Sequence, residues 1–408
     1  MSSMSQDAIK QSRPTGGIPR LRPQSIAILS YGFRPFFLGA ALWACAAMVL
    51  WIGLLSGYWT FANSYGAVAW HAHEFLFGYI SAVLTGFLLT AIPNWTGRLP
   101  LQGGPLLALF LLWVLGRAAM LTTDRIGLVA AAVVDCIYLP VLSGVIVREI
   151  IAGRNWRNLK VTILVAVVAL ANLIFQAEVL VEGAPNYGLR LGCAAIVGLI
   201  MLVGGRVTPS FTHNWLARRG GAKLPAPLDR FDMASIAVAG AALLLWVAAP
   251  DWRGTAVLLL IAAIAQAVRL GRWAGELTWR EPIVLILHLG YAFVPLGALA
   301  LGLSILWPAA MPATGALHLW TTGAMGTMTL AVMTRATIGH TGRQIASTPA
   351  TIGIYGAVLV AALARAAAPL LPTAYDAMLI VAALAWLAAF GGFVAQYGPM
   401  LLRRRAAG

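Results

Sequence analysis

Long apolar runs, broken by short clusters of Gly, Pro, Trp and Arg, occupy almost the whole chain. A helix needs about 20 mostly apolar residues to cross the hydrocarbon core of a bilayer. By that measure twelve spans are predicted, at 34–57, 70–93, 105–122, 126–149, 159–181, 187–207, 231–249, 254–272, 282–304, 315–337, 350–368 and 375–402. The fold class is therefore an all-α integral membrane protein, with residues 31–408 forming a single twelve-helix membrane domain in the lipid bilayer. Residues 1–30 are polar and basic, with Lys10, Arg13, Arg20 and Arg22, and lack the short apolar core of a signal peptide. They are expected to form a disordered cytoplasmic tail.

Composition sharpens this picture. Of the 408 residues 60% are apolar and only 10% charged, against about 25% charged in soluble domains. A water-soluble protein is excluded. The net charge of +15 does not indicate a nucleic-acid partner, because the basic residues punctuate the apolar runs. With the N-terminus inside, 23 Lys and Arg fall on the cytoplasmic side and five on the outer side (Arg117, Arg125, Arg190, Arg253 and Arg365). Such a bias sets orientation, so both termini are expected in the cytoplasm. The three cysteines lie inside apolar runs, which argues against a disulfide framework.

Twelve spans divide into two sixes or three fours, and the sequence favours the second. Shifted by 245 residues, His73–Arg98 falls on His318–Arg343, aligning the two histidines, Gly78 with Gly323, and both Thr-Gly-Arg triplets. Shifted by 120, the same window falls on Cys193–Arg218, aligning Gly78 with Gly198 and Asn94-Trp95 with Asn214-Trp215. The expectation is three pseudo-threefold repeats of four helices, at approximately 31–150, 158–273 and 281–403.

Ionisable groups inside a membrane are costly and mark function by default, so the six histidines carry the candidate chemistry. His71 and His73 open span 2, and His318 opens span 10. Two imidazoles facing each other at one depth form an axial pair for haem b. His71 and His73 are about 200° apart on a helix, and His73, the repeat partner of His318, is preferred over His71. Arg117 and Arg365, near the outer ends of spans 3 and 11, are candidates to neutralise propionates. His213, His288 and His340 lie toward the inner face, and three imidazoles suit copper, or haem iron plus copper. Asp135 sits mid-span, where it either carries protons or pairs with a neighbour. Met325, Met328 and Met333 read as core, and Trp59, Trp70, Trp95, Trp215, Trp252 and Trp279 as an interfacial belt.

No P-loop, GxSxG, HExxH or CxxCH motif is present. What is present is a set of short motifs: Tyr31-Gly-Phe-Arg-Pro35, Trp70-His-Ala-His-Glu74, Pro93-Asn-Trp-Thr-Gly-Arg-Leu-Pro100, His288 through Pro295, and His318-Leu-Trp320 through His340-Thr-Gly-Arg343. Together they resemble the NnrS family over nearly the whole membrane domain. The resemblance implies a haem- and copper-containing inner-membrane protein made in response to nitric oxide, relieving nitrosative stress. If it turns over, the implied activity is a haem/copper oxidoreductase acting on nitric oxide, fed by a membrane electron donor. The arrangement in fours also resembles the catalytic subunit of haem–copper oxidases and nitric oxide reductases, which place haem ligands on spans 2 and 10. That match stops short, because span 7 has no His-His pair. Competing readings are a secondary transporter and a haem-based sensor or metal chaperone.

Overall fold

The computed structural model describes residues 26–221 and 223–404. Most of the expected 1–30 tail lies outside the described residues; within it, Ala27–Ser30 forms one 3-10 turn. No β-strand occurs among the described residues.

Eleven helices are long and apolar enough to cross a membrane: α1 Phe33–Leu55, α2 Ala67–Thr96, α3 Gly104–Leu121, α4 Leu128–Ala152, α5 Trp156–Glu182, α6 Tyr187–Ala217, α7 Arg230–Ala248, α8 Arg253–Gly271, α9 Pro282–Leu306, α11 Pro349–Leu370 and α12 Pro372–Leu402. These make the chain a multi-pass membrane protein. A further helix, α10, runs without a break through 313–340. It is the predicted tenth span, and its Thr, Gly and His content keeps it out of the apolar set. Such a helix is tolerated in lipid only when protein covers it, and α10 touches α2, α6, α9, α11 and α12.

Most helix ends fall within a few residues of prediction. The exception is α6, which continues through Pro209 to Ala217; α2 likewise runs through Pro93. α2 ends only at Gly97, whose φ of +70° is the left-handed closing conformation that suits glycine. The start of α6 is held by its neighbour, since the buried carboxylate of Glu178 accepts from the backbone N–H groups of Asn186, Tyr187 and Gly188 at 2.8, 2.7 and 3.0 Å.

α2, α6 and α10 form the middle of the bundle and touch one another pairwise. In α2 and α6, 78% and 67% of the spanning window is buried, and in α9 72%, against 33% in α1 and α12. Each of the three central helices carries a π-helical turn, at Glu74–Tyr79, Ile200–Gly204 and Leu319–Gly326. Such turns free a backbone carbonyl, and in α2 the Trp113 indole donates to Gly78 O at 2.9 Å. Around this centre α1 packs on α12, α5 on α4 and α9 on α8. The C-terminal halves of α2, α6 and α10 converge with the starts of α1 and α9 on a cavity of about 320 Å3, so the three central helices run parallel.

Met325, Met328 and Met333 are buried in the core. Trp59, Trp252 and Trp279 are exposed, as a belt requires, but Trp70 is not. It is fully buried and donates to Met120 O at 3.2 Å, so it leaves the expected belt.

Candidate functional site

Glu74 follows His73 on α2, Arg117 comes from α3, Asp135 from α4, and Asn172 and Gln176 from one face of α5. All six are at least nine-tenths buried. His73 Nδ1 lies 2.9 Å from Glu74 Oε1, and its Nε2 lies 3.0 Å from both Asp135 Oδ2 and Asn172 Oδ1. Arg117 reaches both Glu74 oxygens at 2.7 Å and also pairs with Asp135. Gln176 Nε2 is 3.0 Å from the same ring nitrogen, donates to Asp135 at 3.2 Å, and its Oε1 accepts from Tyr65 at 3.1 Å.

Both ring nitrogens of His73 thus face carboxylate oxygens, which accept and do not donate. Nε2 also faces the Gln176 amide nitrogen, so both ring nitrogens are engaged within this set and neither is left open toward a metal. The Arg117 guanidinium meets two carboxylates. Buried charges persist in low dielectric when paired and hydrogen-bonded in this way. The sequence reading set His73 opposite His318 and Arg117 at a propionate; the structure places both within this set. His73 and Arg117 tie α2, α3, α4 and α5 together rather than turning toward His318. Asn172 and Gln176, four residues apart on an apolar helix, were the overlooked signal for the cluster.

His71 lies on the other side of α2. Its ring stacks on Trp51, with centroids 4.3 Å apart and planes at 23°, and tilts against Phe75 at 4.8 Å. Its Nδ1 is buried with no hydrogen-bond partner. The charges of His318 and Arg365 act on His71, whereas the charges that act most strongly on His73 are those of Asp135 and Glu74. His318 Nδ1 donates to Thr314 O at 2.7 Å, which fixes the tautomer and leaves the Nε2 lone pair available. Metal-ligating histidines are commonly oriented by just such a bond. Arg365 keeps one guanidinium nitrogen buried and unpartnered. No carboxylate among the described residues pairs with it.

The three imidazoles expected to form an inner centre are not brought together. His288 Nε2 is 2.7 Å from Thr212 Oγ1, and the ring packs edge-on against Trp273. Because Thr212 takes the inward face of α6, the next residue, His213, is turned outward and exposed. His340 stacks on Tyr31, with centroids 5.7 Å apart. Among the described residues no group of three or more His, Cys, Asp or Glu side chains is arranged to hold a metal ion.

A second buried ion network ties α6, α7, α8 and α9: Arg269 donates to Asp232 at 3.0 Å, to Tyr291 at 2.6 Å and to Met201 O at 3.2 Å. It contains no metal-binding side chain besides Asp232 and reads as structural.

No curated protein is similar enough to this sequence to count as a match. The model of one family, described as NnrS protein, matches residues 27–405. That span is nearly the whole chain and takes in every helix described above, and the chain belongs to the NnrS family.

Proposed function

We propose that the chain is a haem-binding inner-membrane protein of the nitric oxide response, with His71 and His318 as the axial ligands and Arg365 as the counter-charge for a propionate. The observation that carries this reading is the buried, unpartnered Nδ1 of His71 beside His318 and Arg365. A buried polar atom without a partner costs about 1–3 kcal/mol, so the His71 nitrogen on α2 and the Arg365 nitrogen on α11 support a place where a ligand completes the set. The chemistry suits haem b, since two imidazoles offer axial nitrogens and an unneutralised guanidinium suits an anionic edge. A bis-imidazole haem supplies one-electron transfer. The chain's own residues hold the ligand rings in place: Thr314 fixes the His318 tautomer, and Trp51 and Phe75 fix the plane of His71. Family membership points to nitric oxide as the molecule acted on, by reduction or scavenging. Among the described residues no donor set for copper is assembled, and no step is assigned to it.

The frame we infer for this site is three four-helix units with both termini on the basic, cytoplasmic side. Its support is that the first helix of each unit packs on the last helix of the unit before it, as α1 on α12, α5 on α4 and α9 on α8. Cavity-lining positions repeat at the sequence offsets as well: Phe87, Val207 and Val332 form one triple, and Ala91, Phe211 and Ala336 another. A transporter of two six-helix halves gives no reason for either pattern.

The absorption spectrum of detergent-purified protein, from cells supplied with haem, tests the haem assignment. A Soret band and, on reduction, a sharp α-band of six-coordinate haem are expected. Folded protein with no Soret band overturns it.

A further inference from the structure

The cavity at the C-terminal ends of α2, α6 and α10 lies at the opposite end of the bundle from His71 and His318. Its volume of about 320 Å3 is at the lower end of small-molecule sites, roughly 300–1,000 Å3. That is room for one or two fused rings rather than a macrocycle. Phe37, Phe87, Phe211, Leu287 and Val332 make most of its wall apolar, while Thr90, Asn94 and Arg335 bring polar groups. Gly339 and Asn94 on its rim are exposed, so the mouth opens to water at this end of the bundle, and helices α1, α2, α6, α9 and α10 supply the surrounding wall.

Arg335 is the feature a purely structural cavity does not require. Its guanidinium carbon lies 3.6 Å from the centroid of the Phe211 ring, reaching from α10 to α6. A cation–π contact of this kind fixes a guanidinium without neutralising it. Among the described residues no carboxylate lines the cavity. None among the described residues forms an ion pair with Arg335. The acid whose charge acts on it is Glu281, which accepts from Ser347 Oγ at 3.0 Å, and the charge of Arg218 acts on it as well. At the repeat offsets the positions matching Arg335 are Thr90 and Ser210. One unit alone therefore places a cation where the other two place hydroxyls.

We propose that this cavity binds a water-borne organic anion, with a carboxylate on Arg335 and a compact apolar body against the phenylalanines. A planar, fixed guanidinium matches a carboxylate by two parallel hydrogen bonds. The apolar wall removes water from that contact and strengthens it. The Asn94 amide, which donates to Thr90 O at 3.3 Å, keeps a second N–H for the ligand. Binding here is independent of the haem assignment, since no residue is shared between the two places.

The test uses the full chain in nanodiscs of zwitterionic lipid, so that no anionic lipid competes, with 2-naphthoate, its neutral isostere 2-naphthamide, and acetate as calorimetric probes. Wild-type protein is expected to bind 2-naphthoate at least tenfold more tightly than 2-naphthamide, and acetate not measurably. Arg335→Gln should lower 2-naphthoate to the level of the amide and leave the amide unchanged. Ala336→Leu, which narrows the cavity, should weaken both. A monodisperse elution profile like that of the parent separates lost binding from lost folding. Equal binding of acid and amide by wild type, no binding of either by folded protein, or undiminished selectivity in Arg335→Gln each overturns the proposal.

Discussion

His71 and His73 are separated by a single alanine and meet opposite fates. His73 has acceptors at both nitrogens and sits in a set of charges that closes on itself across four helices. His71 has rings on its faces, a nitrogen with no partner, and a neighbourhood of one imidazole and one guanidinium with no carboxylate paired to it. The helix makes this possible, since residues two apart point about 200° away from each other. The lesson is that burial of an ionisable group does not locate a ligand site; incomplete pairing does. A cluster whose charges are paired with one another holds helices together, whereas one whose guanidinium has no carboxylate is complementary to something anionic brought from outside.

The largest expected effect breaks the closed side of this comparison. Arg117→Met leaves two carboxylates against one histidine in a dry interior, and removing one partner of a buried ion network costs about 3–5 kcal/mol. Thermal or denaturant unfolding in detergent should show a loss of that order. His71→Ala, which removes ring stacking but strands no charged partner, should cost clearly less. Equal losses from the two changes would erase the distinction between the regions.

A much smaller effect is expected between α3 and α4, where Asp124 accepts from the Ser64 hydroxyl and from the backbone of Ser64 and Asn63. Those bonds hold its carboxyl below the ordinary aspartate range. With the folded value depressed, the carboxylate's contribution is present at neutral pH and is lost as pH falls through and below about 4. Asp124→Asn should therefore loosen the loop slightly at pH 7, read by proteolysis of the 56–66 segment. The difference from the parent should shrink in acid. A difference that grows in acid contradicts the assignment.

Much of the fold was legible in the sequence because span length and apolar content are set by the bilayer, and those constraints act on single helices. α10 was legible for the same reason, although its threonines make it the least apolar of the set. What was not legible is rotation. Choosing His71 over His73 requires knowing which face of α2 meets α3–α5 and which meets α10 and α11, and no periodicity within α2 states that. His213 failed similarly, because one step along α6 decides whether Thr212 or His213 faces His288. The overlooked members of the closed cluster were findable. Asn172 and Gln176 stand one turn apart in an otherwise apolar span, and with Asp135 they are polar groups inside a membrane that require partners.

The central claim, that His71 rather than His73 is the axial ligand from α2, is tested most directly by chemical rescue. His71→Gly protein, purified with haem supplied, should lose the low-spin bis-imidazole signature in its optical and electron paramagnetic resonance spectra, and added imidazole should restore it. In His73→Gln, whatever fraction folds should keep that signature without imidazole. A low-spin spectrum unchanged in His71→Gly but lost and imidazole-restorable in His73→Gln would contradict the account.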